Sequence, residues 1–399
     1  MTNPQPIPAA RFLSPLGTTL IASFAALALT SQLYFPLPLL TNLAHEFGIM
    51  TTTATLSTSV FGIAYALGFL LVGPLGQVFG PARLTAVSLG IVTLGSLGAA
   101  LAPNWTLFLV ARAITGLAGA ALVPSMLVLL GTRLHPRNRA VAISTFISTS
   151  FSAGIIAQIA AQAFEALVGW RGVFVIGAIA LAISTITVAA GMRDTTESRS
   201  HPLRGAYSSL PRVARDRRLL PLYLATLTIL GTFVLLYTGI QLAHPVVVSE
   251  SVMIAFRATA IPAMVLAPIL MAASAQMRAL TRCTIGFAIT VVSAGVVAMH
   301  LGVVVTGISM FALVGALAVI APSIVTEIGE RAGANRQAGA AIYSFWLFAG
   351  ASLGAPLAAA LTGAGLMTTA IVAAVALAIA LAATLIAART STRISNSAR

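Results

Sequence analysis

Arg112 stands seven residues beyond Trp105 inside a long apolar run, about 10 Å from the start of that run if it is helical. A charge at such depth in an apolar phase costs at least ~2.5 kcal/mol unless it faces protein or water. An arginine there can bind an anionic group or hold a proton-carrying network in register; the plainer use is to bond helix carbonyls or snorkel outward. Gln158, Gln162 and Glu165 recur at i, i+4 and i+7 and share one helical face. Glu165, near the end of its run, is the candidate proton site, although a polar edge meeting water explains it equally. Gln32 and Tyr34 on the first run and Tyr237 and Gln241 on the seventh could line a binding site. Tyr343, Phe345 and Trp346 on the eleventh could wall it for a hydrophobic molecule, with lipid contact as the alternative for each aromatic. Ser144, Ser148 and Ser152 form another four-residue stripe, which reads as close helix packing.

The groups that are missing narrow the chemistry further. Only eight acids occur in 399 residues, and both aspartates, Asp194 and Asp216, fall in one central polar stretch. No acid falls in the middle of an apolar run. The single Cys283 excludes a disulfide framework or a cysteine-based metal cluster, and the five histidines are scattered. No metal or cofactor is expected. An enzyme would need clustered His, Asp or Glu at depth, so the sequence does not read as one.

Positioning these residues requires a membrane. The chain is 58% apolar and 8% charged, against roughly 25% charged in soluble domains. Twelve apolar runs, each long enough to cross about 30 Å of hydrocarbon as a helix, lie at 17–40, 53–75, 82–102, 105–131, 140–165, 172–191, 219–243, 258–277, 283–300, 302–327, 338–362 and 366–388. Arg11 precedes an apolar stretch that continues to Leu40, too long for a signal h-region, so a retained first helix is expected. The expected fold is therefore an all-α integral membrane protein of twelve transmembrane helices in two six-helix bundles. The bundles would be 1–192 and 219–399, joined by the arginine-rich linker 193–218. No lysine occurs, and the 22 arginines record orientation. Placing both termini in the cytoplasm leaves only Arg171 and Arg257 outside, with Arg112 inside a helix. The basic excess thus orients the chain in a cell (inner or plasma) membrane and does not mark a nucleic-acid partner. An echo links the halves: Asn138-Arg139 precedes the fifth run and Asn335-Arg336 the eleventh. Two related six-helix halves with a site between them is a transporter plan.

The segment 73–83, GPLGQVFGPAR, resembles the signature between helices 2 and 3 of the major facilitator superfamily, roughly G-x-L-[AS]-D-R-x-G-R-R. Residues 112–121, RAITGLAGAA, are similar to the R-x-x-Q-G-x-G-A-A signature of its drug:proton antiporter branch, and 169–174, GWRGVF, to that branch's W-R-x-x-F. Residues 32–48 are similar to its sugar- and drug-efflux members. The resemblance implies a gating motif at Gly73, Gly76, Gln77, Gly80 and Arg83. The family's aspartate in a charge relay is Gln77 here, and Ala157-Gln158 stands where antiporters usually carry a Gly-Pro kink. The corresponding loop 271–282 keeps Arg278 and Arg282 without the glycines.

On that resemblance the expected function is export of small hydrophobic molecules by alternating access, with protons as the candidate coupling ion. The partners would be a small-molecule substrate and the lipid bilayer, and one chain would suffice for a pathway. An uncoupled facilitator or importer of a sugar or metabolite on the same fold is the alternative. A membrane sensor without transport is a third reading, and it would usually add a soluble signalling domain.

Overall fold

A computed structural model describes residues 14–192, 207–242 and 276–397, with isolated positions between 262 and 274. Among the described residues all regular structure is helical. The long elements are α1 (Pro15–Tyr34), α2 (Leu40–Phe47), α3 (Leu56–Leu71), α4 (Pro81–Ala100), α5 (Trp105–Gly119), α6 (Leu122–Arg133), α7 (Pro136–Gly191), α8 (Leu220–Leu242), α9 (Ala279–Ala298), α10 (Val303–Ala332), α11 (Arg336–Ala360) and α12 (Gly365–Ser397). Ten helical stretches are long and apolar enough to cross a membrane. One of them, within α7, contains two crossings, because Gly169 takes φ 68°, ψ 171° between the expected fifth and sixth helices. Such a φ favours glycine. Eleven of the twelve expected crossings are thus accounted for, and the eighth, 258–277, lies mostly outside the described residues, as does 193–206 of the expected linker.

Local signals set the helix starts. Ser14 caps α1, its Oγ accepting from the Gly17 amide at 3.1 Å, with Pro15 in the first turn. Asn104 does the same for α5, accepting from Leu107 N at 2.9 Å. In the interior, backbones approach through glycine. A Cβ on Gly116 would lie 2.2 Å from the Phe61 carbonyl oxygen, and one on Gly350 1.9 Å from that of Leu227. Without a hydrophobic force between helices in lipid, such close approach is what dispersion packing needs. The outer surface carries Leu94, Leu101, Ile186 and Val304 exposed, as a lipid-facing wall would.

Arginines collect at one end of the bundle. Arg133 Nη1 donates to the Gly191 carbonyl at 3.2 Å, tying α6 to the end of α7. Arg331 pairs with Glu327 at 2.7 Å and donates to the carbonyls of Arg218 (3.1 Å) and Ala387 (3.0 Å). It therefore gathers α10, the approach to α8, and α12. At the opposite end Arg171 pairs with Glu46 at 2.8 Å and donates to the Ala100 carbonyl at 2.6 Å. Nearby, Phe47, Trp105, Phe108 and Trp170 pack ring on ring.

Candidate functional site

The two halves meet along α3 and α11 and enclose a cavity of about 200 Å³. Gly62 faces Ser352 so closely that a Cβ there would sit 2.2 Å from Ser352 Oγ. Toward the arginine-rich end, Phe348 meets Tyr65 edge-on at 4.5 Å and stacks on Phe69 at 5.5 Å. Tyr34 meets Phe233 edge-on at 6.4 Å and joins α1 to α8. The cavity lies beyond these contacts. Its wall positions Leu127, Val325 and Ala340 stand within about two helical turns of Arg133, Arg331 and Arg336. The space therefore approaches the arginine-rich end, while α3 and α11 seal the other.

Among the described residues, no charged side chain lines the cavity. Its walls are aromatic and aliphatic, from Tyr34, Tyr65, Phe69 and Phe146 of one half and Phe233, Tyr343 and Phe348 of the other. Hydroxyls of Thr30, Ser150 and Ser344 and the tyrosine phenols are the polar side-chain groups. Tyr343 donates its hydroxyl to the Ala321 carbonyl at 3.2 Å. The next residue, Pro322, has no amide hydrogen to give to the carbonyl of Ala318, another wall residue. The α10 wall thus offers a backbone acceptor among apolar surfaces. A small, uncharged, largely apolar molecule fits such a site, since burying an unpaired ion here would go uncompensated.

The residues singled out in the sequence divide between this cavity and the interiors of the bundles. Tyr34 and Tyr343 line it. Tyr237 is buried one turn beyond Phe233, with ring centroids 4.7 Å apart, and Gln241 lies a further turn along α8. Trp346 packs edge-on against Phe345 at 5.4 Å, half-buried beside the cavity wall.

Gln32 is fully buried within the first half, where Ser96 Oγ lies 3.1 Å from its Oε1 and 2.9 Å from the Phe174 carbonyl. A hydroxyl has one proton and cannot donate to both, so the amide is better read with its nitrogen donating to Ser96. Gln158 is buried, with Nε2 donating to the Gly154 carbonyl at 2.7 Å, and Gln162 lies half-buried one turn on. Glu165 accepts from Asn42 Nδ2 at 2.7 Å, which joins α7 to α2 away from the cavity.

Arg112 is only 1% exposed and does not line the cavity. Its Nε donates to the Ser57 carbonyl at 3.1 Å, and its guanidinium lies 4.5 Å from the Phe61 ring and 5.7 Å from that of Phe174. Nη1 and Nη2 have no protein partner among the described residues. The cation is held by π faces and one carbonyl.

In the expected gating motif, Gly73–Leu75 and Gly76–Phe79 form two short helical turns. Gly80 at φ 88° then opens α4, whose first turn exposes Arg83. Gln77 lies in the second turn.

Sequence reasoning missed Tyr65, Phe69, Phe146, Phe233 and Phe348 as wall residues. A signal existed in Phe61, Tyr65 and Phe69 at i, i+4 and i+8, which puts three rings on one face of α3.

Comparison with known proteins agrees with this architecture. The sequence profile of the Major Facilitator Superfamily matches residues 18–355. The chain is 26% identical over 228 residues to the inner membrane transport protein YnfM of Escherichia coli, covering 56% of this chain and 54% of that one. It is 28% identical over 212 residues to the MFS-type transporter YybF of Bacillus subtilis, 52% of each. It is 26% identical over 172 residues to the multidrug transporter mfsC of Aspergillus fumigatus, 43% of this chain and 33% of that one. The chain thus spans about half the length of the first two relatives and a third of the last. A crystal structure of a peptide transporter POT variant in complex with alafosfalin superimposes with a TM-score of 0.72 at 14% identity, over 93% of this chain and 95% of that one. Helical crossings in two halves around a shared cavity, matched by profile and by fold, make the chain a membrane-spanning member of the Major Facilitator Superfamily.

Proposed function

We propose that the chain exports small, uncharged, hydrophobic molecules by alternating access, the two bundles rocking about the central cavity. The cavity wall carries the reading: aromatic faces and hydroxyls from both halves, with no charged side chain among the described residues. The name of mfsC, a multidrug transporter, supports a substrate of this kind. In this orientation the arginine-rich end and both termini face the cytoplasm of a cell membrane, by the positive-inside preference. The cavity then approaches the cytoplasm, where an exporter loads. A single chain forms the whole pathway.

A specific observation favours a second reading, an uncoupled facilitator. A proton-coupled carrier generally uses an intramembrane acid or base. Here no carboxylate lines the cavity among the described residues, and Glu165 is engaged with Asn42. The two readings separate in everted vesicles containing the overproduced protein and a neutral aromatic dye. Accumulation that collapses when the pH gradient is dissipated supports antiport. Equilibration that ignores the gradient supports the facilitator, and no protein-dependent dye movement would overturn both.

A further inference from the structure

A second cavity, about 320 Å³ and outside the central one, opens on the flank of the second half. Its floor is made of small residues on α9 and α10, Gly286, Ala312, Gly315 and Ala316. Leu270, Ile285 and Ile289 rise at its sides and are all more than 40% exposed. An apolar groove with exposed rims on the lipid-facing surface takes an extended hydrocarbon chain. The groove is asymmetric in charge. Among the described residues its polar members are Ser274 and Arg282, and Arg282 lies in the first turn of α9, at the arginine-rich end.

The arginine is only partly used. Its Nη1 donates to the Ser274 carbonyl at 3.2 Å, while its buried Nε has no partner among the described residues. Arg278, exposed, is the residue just before α9 and stands one turn from Arg282. The acid Glu327 lies within electrostatic reach of Cys283, as Arg282 does, but it is taken up by Arg331 at 2.7 Å. From Arg282 to Ile289 the groove runs about 10 Å along α9, roughly two thirds of one leaflet of a 30 Å hydrocarbon core. A charge at the headgroup level and an apolar channel leading inward from it match the two ends of one molecule.

We propose that this groove binds an anionic phospholipid, its phosphate on Arg282 with Arg278 beside it and one acyl chain laid over Gly286, Ala312 and Gly315. Basic pockets between transmembrane helices recognise such headgroups, and a guanidinium offers the fork geometry that phosphate accepts. The site is independent of the transported molecule and of the direction of transport.

The test uses the full chain in vesicles of phosphatidylcholine alone or of equal parts phosphatidylcholine and phosphatidylglycerol, extracted gently and weighed by native mass spectrometry. The expected result is phosphatidylglycerol retained over phosphatidylcholine by the wild type. That preference should fall about five- to tenfold in Arg282→Gln. Because Arg282→Gln also loses a bond to the Ser274 carbonyl, Ile289→Trp serves as the second variant. It plugs the groove without touching charge and should lower retention of both lipids. Equal retention of the two lipids by the wild type would overturn the proposal. So would an unchanged preference in Arg282→Gln, unchanged lipid retention in Ile289→Trp, or displacement of the bound lipid by inorganic phosphate alone, which would make the acyl groove irrelevant.

Discussion

At the residue scale, Arg112 and Tyr343 represent two different uses of a polar group in an apolar interior. Arg112 keeps two guanidinium nitrogens without a partner among the described residues and is nearly inaccessible. Replacing such a charge by an apolar side chain of similar size removes its desolvation cost. Arg112→Met should therefore insert and keep or raise its thermal midpoint, while transport falls. A variant that transports like the wild type would assign Arg112 to packing alone. Tyr343 instead stands on the cavity wall and donates to the Ala321 carbonyl. Tyr343→Phe should cost about 1 kcal/mol of stability in a thermal-shift assay. It should also reduce transport most for substrates that hydrogen-bond.

At the element scale, the close helix contacts make sharper predictions than the side chains do. Gly350 brings α11 against the Leu227 backbone, where a methyl group would lie 1.9 Å from a carbonyl oxygen that cannot move freely. Gly350→Ala should destabilise by about 1–3 kcal/mol through forced separation of α8 and α11. Gly131 is the control, because nothing lies within 4 Å of a Cβ there. Gly131→Ala should leave stability unchanged or raise it by about 0.5–1 kcal/mol, as expected in a helix, with a thermal midpoint that does not fall.

The helices themselves were legible in the sequence, because a crossing needs about 20 apolar residues and the runs are separated by arginines, glycines and prolines. The gaps between the runs ending at 102 and 165 and those starting at 105 and 172 hold the breaks found at Asn104 and Gly169. Which face of each helix turns inward was much less legible. Lipid and protein interior are both apolar, so a single ring such as Phe348 carries no signal that separates cavity from bilayer, and only the spacing of Phe61, Tyr65 and Phe69 hints at a shared face. Polar residues such as Gln32 do mark an inward face, but they mark the interior of a bundle as readily as the cavity between bundles. That is why Gln32, Gln158 and Arg112 read as site residues and are found inside the first half.

At the scale of the whole molecule, the proposed alternating access requires the seal between α3 and α11 to open while the cavity beyond it closes. A Cβ on Gly62 would lie 3.2 Å from that of Ser352, a few tenths of an ångström inside the roughly 3.5–4.5 Å of a disulfide, so the seam must ease slightly to admit one. In a Cys283→Ala background, Gly62→Cys with Ser352→Cys should crosslink under oxidation and stop transport, with recovery on reduction. Unaltered transport by the crosslinked protein would show that this seam does not open. The most direct test of the central claim fills the cavity from both sides. Ser150→Trp and Ser344→Trp place a large ring into the same space from opposite halves. Measured in proteoliposomes with a neutral aromatic dye, each variant should remain folded and monodisperse yet move the dye at a small fraction of the wild-type rate. Wild-type rates in both would place the pathway elsewhere and contradict the account.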